Sequence, residues 1–118
     1  GHLAFRAALQ PEIEATACFY ATDLHTNVIP SKPNQHSMDR LKDIKGELLM
    51  IWGKQDNHIP DQGRKAVYEK MLDAKLAFTW HEFNGQHAFM RDEGERYDPE
   101  LALISYDLAV KLFQRKLT

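Results

Sequence analysis

The stretch that most limits how this chain can fold is "GELLMIWG", residues 46–53. It is almost continuously apolar and bounded by glycines, too short for a typical helix and without the polar alternation of a half-solvated strand. It therefore predicts a strand covered on both faces, and in a short chain that cover must come from helices packed above and below the sheet. Two further strands are expected. "IEATACFYA" (13–21) is rich in Ala, Cys, Phe and Tyr and ends in a polar turn, and "LAFTWHEF" (76–83) places Phe78, Trp80 and Glu82 in alternation.

Helical patterns fall between and after these runs. In "PDQGRKAVYEKMLDAK" (60–75), Pro60 suits a first turn, and Val67, Met71 and Leu72 fall on one face. In "DPELALISYDLAVKLFQRKL" (98–117), Asp98 reads as N-cap and Pro99 as the first helical residue. Leu101, Ile104, Leu108 and Leu112 then form an apolar stripe, and the basic tail complements the helix dipole. Residues 22–45 read as a long polar loop with two prolines, leading to a short helix around Met38–Ile44. Strands separated by helices predict right-handed crossovers, hence a three-layer α/β/α unit with about three mostly parallel strands.

Composition narrows the function classes. With 118 residues, 43% of them hydrophobic and 27% charged, the chain can bury the core of one globular unit. A net charge of −2 and no lysine or arginine block leave no electrostatic footprint for nucleic acid. No apolar run approaches the ~20 residues of a membrane span, and the opening residues are not expected to be a secretory signal. A single cysteine excludes an internal disulfide and fits a reducing, cytoplasmic setting. His25, His36, His58 and His81 have no compact metal-ligand spacing, so zinc is not expected.

In open α/β sheets, chemistry collects beyond the carboxyl ends of the strands. "GKQDNHIP" (53–60) follows the most apolar strand and carries Asp56; "NGQHAF" (84–89) follows the next and carries His87. An aspartate accepting the imidazole Nδ1–H fixes the tautomer and frees Nε2 to take a proton from a nucleophile. Each residue also has a plainer reading. Asp56 could cap the helix that follows, His87 could be a surface histidine, and Arg91 could pair with Asp92, Glu93 or Glu95. Cys18, inside an apolar strand, is expected to be a small inert core residue rather than a nucleophile. Tyr97 could line a pocket or pack on the last helix.

"GHLAFRAAL" (1–9), "WGKQDNHIP" (52–60) and "NGQHAFMRDEGERYDP" (84–99), in that order, resemble the C-terminal half of dienelactone hydrolases, the carboxymethylenebutenolidases of the α/β-hydrolase superfamily. The resemblance covers essentially the whole chain, 1–118, and implies hydrolysis of a lactone or ester by a Cys–Asp–His triad without metal or organic cofactor. Asp56 matches the triad acid and His87 the triad base. Arg91 matches an arginine that binds a substrate carboxylate. Gly1 and His2 match the end of the family's G-x-C-x-G-G-H elbow, so the nucleophile is expected about two residues before Gly1. The chain alone is then expected to be inactive. It would be the C-terminal part of a hydrolase domain; the alternatives are a non-catalytic interaction module or a half that needs an N-terminal partner chain. If it folds alone, the open edge of strand 13–21 is expected to drive self-association.

Overall fold

The computed structural model describes residues 1–26, 36–91 and 94–117. Strands β1 (Ala15–Phe19), β2 (Glu47–Gly53) and β3 (Phe78–Phe83) form one parallel sheet in the order β1-β2-β3. Met50 lies level with Cys18 on one side and with Trp80 on the other. Helix α1 (His2–Ala7) precedes the sheet, α2 (Asp61–Asp73) links β2 to β3, and α3 (Pro99–Lys116) ends the chain.

The uninterrupted apolar run of β2 has its expected consequence. Leu48, Met50 and Trp52 point to one face and pack with Cys18, Phe5 and Leu9, with Met38 and Leu41 from a 3-10 helix (Ser37–Asp43), and with Val67 and Met71 of α2. Leu49 and Ile51 point to the other face and pack with Phe89 and with Ala109 and Leu112 of α3. The molecule is thus three layers with a core on each side of the sheet. Truncating a fully buried residue such as Met50 to alanine costs about 2–5 kcal/mol.

Helix α3 starts as its sequence dictates: the Asp98 side chain accepts the Leu101 N–H at 3.1 Å, and Pro99 needs no partner at the first position. Its buried residues are Ala102, Ser105, Ala109 and Leu112, while Leu101 and Leu108 are partly buried. The expected stripe is therefore correct at Leu112 and its partly buried neighbours but wrong at Ile104, which is 40% exposed. Small side chains at 102, 105 and 109 let the helix axis approach the sheet, and Ile104 is turned outward as a result. Leu72 likewise faces solvent, whereas Val67 and Met71 are buried. Pro60 is the N-cap of α2 rather than its first helical residue. The expected loop 22–45 falls partly outside the described residues, and its short helix is 3-10 rather than α.

Candidate active site

The loop after β2 and the loop after β3 are joined by short-range contacts that begin at Gly53. A Cβ on Gly53 would lie 2.5 Å from the Gly85 carbonyl oxygen, so only glycine permits this approach. The Lys54 and Gln55 N–H groups then donate to the Phe83 and Gly85 carbonyls at 2.8 and 2.9 Å. The Gln55 side-chain amide donates to Asn84 Oδ1 at 2.7 Å.

That stitching brings together Asp56 and His87, 31 positions apart in sequence, with His87 Nδ1 2.6 Å from Asp56 Oδ2. The other carboxylate oxygen accepts the His58 N–H at 2.7 Å. With both oxygens occupied, the carboxylate is held in one rotamer, and its side chain is only 1% exposed. The His87 side chain is 19% exposed, so a buried anion orients an imidazole that solvent can reach. An Nδ1–H donated to Asp56 leaves Nε2 as the acceptor. The ring of His58, itself exposed, lies 4.5 Å from that of His87 between centroids, tilted 58° to it. Asp56 does not cap α2, whose N-cap is Pro60.

Arg91 lies one turn beyond His87, where its N–H donates to the Ala88 carbonyl at 3.0 Å. With Gln86, Ala88 and Arg96 it lines a cavity of about 510 Å³. Two of its rival partners, Asp92 and Glu93, lie outside the described residues. Tyr97 is 39% exposed, close to the same turn. Cys18 is elsewhere, 1% exposed in the core on the α1 side of the sheet, and burial pushes its thiol up to about 12. A thiol so desolvated is a packing residue.

Two further residues complete the surroundings: Tyr20, which the sequence did not single out, and His2, which it matched only to the end of the elbow motif. Tyr20 follows β1 as Asp56 follows β2 and His87 follows β3, and its ring lies 5.1 Å from that of His87. The strand-end rule that pointed to the other two also applies to it. His2 is buried, with Nδ1 2.9 Å from the Thr22 carbonyl and Nε2 2.6 Å from Ser37 Oγ. Burial lowers its pKa below the ordinary 6.5, and the neutral ring accepts the Ser37 hydroxyl proton while donating to Thr22. It ties α1, the exit of β1 and the 3-10 helix together.

Among the described residues no group of three or more His, Cys, Asp or Glu side chains could hold a metal ion. Nor is any helix among them long and apolar enough to cross a membrane.

A parallel sheet with helices on both faces and polar residues gathered beyond its carboxyl edge is an open, three-layer α/β architecture. Residues 1–117 match the model of the dienelactone hydrolase family. A Saccharomyces cerevisiae protein provisionally named a carboxymethylenebutenolidase is 34% identical over 123 residues, which cover 99% of this chain and 45% of that protein. The chain belongs to the dienelactone hydrolase family. Solved structures share the fold. A provisionally named dienelactone hydrolase from Klebsiella pneumoniae superposes with a TM-score of 0.84 at 18% identity, covering 96% of this chain and 47% of that one. An acylaminoacyl peptidase from Pyrococcus horikoshii gives 0.72 at 17%, covering 98% and 22%. The chain thus spans a little under half the length of its curated relative.

Proposed function

We propose that Asp56 and His87 are the acid and base of a Cys–Asp–His triad that hydrolyses a lactone or ester carrying a carboxylate. The observation that carries this reading is the 2.6 Å hydrogen bond from a solvent-reachable imidazole to a buried, doubly held carboxylate. His87 Nε2 takes the proton of a cysteine thiol, and the thiolate adds to the substrate carbonyl carbon. The resulting oxyanion collapses and expels the alkoxide, which His87 protonates; water, deprotonated by the same nitrogen, then cleaves the thioester and regenerates the thiol. Asp56 holds the ring and stabilises the imidazolium that forms at each stage. Arg91 attracts the substrate carboxylate at the mouth of the site, a role its planar fork of donors suits.

The cysteine in this reading lies on a segment preceding Gly1. The Gly1 backbone packs against Phe19 and Ala21, on either side of the tyrosine that touches His87. A segment arriving at Gly1 would therefore come in at the carboxyl end of β1, the edge of the sheet that carries the site. Residues 1–118 act as the C-terminal part of the hydrolase domain, working in a reducing, cytoplasmic setting. By themselves they self-associate through the open edge of β1, which pairs with β2 alone among the described residues.

The test is lactone and aryl-ester hydrolysis by the chain alone and by the chain preceded by a segment carrying G-x-C-x-G. Thiol-dependent turnover only in the extended form is expected. Turnover by the chain alone that Cys18→Ala abolishes would overturn the assignment of the nucleophile.

A further inference from the structure

Tyr20 has φ 37°, in the left-handed region. For a bulky side chain such a backbone costs on the order of 1–3 kcal/mol and persists only where the surroundings over-determine it. Those surroundings are specific. The Tyr20 N–H donates to the Ile51 carbonyl at 2.7 Å, so the residue stays tied to the sheet after β1 has ended. Its ring lies 5.1 Å from His87, tilted 58°, and stands edge-on to Phe89 at 5.6 Å and 77°. Burial raises the phenol's pKa, so the O–H keeps its proton. Ala88, directly after His87, is a second left-handed residue, at φ 60°.

We infer that Tyr20 is a positioning residue for His87: its ring forms the wall that keeps the imidazole on Asp56. An aromatic serving the core alone has no need of a left-handed backbone. Phe5, fully buried on the other face, sits within a regular helix. Here the left-handed conformation is what aims the ring at the histidine. The inference rests on the reading of His87 as the base, but its test does not depend on turnover.

The experiment is proton and nitrogen NMR of the chain. A His87 Nδ1–H held in a short bond to a carboxylate gives a far-downfield resonance with slowed solvent exchange, and Asp56→Asn identifies it by removing it. In the unaltered chain, cross-relaxation between the Tyr20 ring protons and His87 is expected. Tyr20→Phe should keep the resonance. Tyr20→Met, similar in bulk but without a flat face, should speed its exchange roughly tenfold or more, equivalent to about 1.4 kcal/mol. Val67→Ala, a core truncation away from the site, should leave it unchanged. A folded Tyr20→Met with the resonance and exchange of the unaltered chain would overturn the inference. So would absence of the Tyr20–His87 cross-peak, a measurement that needs no variant to fold. Turnover that survives His87→Ala in the extended protein would sink the catalytic reading and leave the Tyr20–His87 contact standing, so the two failures are distinguishable.

Discussion

Asp56 and His87 are joined at 2.6 Å although neither loop holds the geometry alone: one carboxylate oxygen takes the imidazole Nδ1–H, and the other takes the His58 N–H of its own loop. The carboxylate is thus fixed by its own turn before it fixes the histidine. Any change that parts the two loops should be felt at this bond.

Gly53→Ala is such a change. The added methyl would meet the Gly85 carbonyl oxygen at 2.5 Å, a backbone atom that cannot swing aside. We expect destabilisation of about 1–3 kcal/mol in urea unfolding, at an unchanged dependence on denaturant, together with loss of the His87 Nδ1–H resonance. Stability equal to that of the unaltered chain would show that the loops tolerate separation.

Arg91→Ala, in the extended protein, should act on substrates that carry a carboxylate. A charge-assisted bidentate contact contributes roughly 1.5–3 kcal/mol, so kcat/KM for acidic esters should fall about ten- to a hundredfold while neutral esters are spared. Equal loss on both classes would identify Arg91 as a structural residue.

His2 should make stability depend on pH. Its folded pKa lies below the ordinary 6.5, so the unfolded chain binds the proton first as pH falls. The contribution is present above about 6.5 and is lost progressively as pH drops from there toward the folded pKa. Chemical denaturation from pH 7.5 down to 5 should show this decline. His2→Gln should show less of it than the unaltered chain; identical slopes would mean that the ring is not held neutral.

Self-association is expected of the chain alone. The outer edge of β1 pairs with no strand among the described residues, and on α3 the exposed Leu103, Tyr106 and Val110 add apolar surface that favours contact between chains. Sedimentation over micromolar concentrations should show a dimer or larger species. A cooperatively melting monomer at every concentration would contradict this.

Much of the architecture was legible because β2 admits one reading: five consecutive apolar residues, Leu48–Trp52, require cover on both faces. Asp56 and His87 were legible as positions, since each follows a strand at its carboxyl end. The stripe on α3 was misread at Ile104, because periodicity records where apolar side chains recur and not that alanine and serine permit the closest approach to the sheet. Tyr20 was missed because it sits in a run that reads as continuous strand. A left-handed residue at a strand end leaves no mark in hydrophobic periodicity, and its use emerges only when three strand ends are seen side by side. The roles of His2 and Gly53 likewise depend on contacts made across the fold.

The central claim is that His87, held by Asp56, is the base of the reaction. It is tested most directly by kcat/KM for a lactone or aryl ester, measured on the extended protein with and without His87→Ala, with circular dichroism confirming the fold of each. We predict a loss of roughly 10⁴-fold, with Asp56→Asn falling in the same range. Retention of turnover within tenfold of the unaltered protein by a folded His87→Ala would contradict the account.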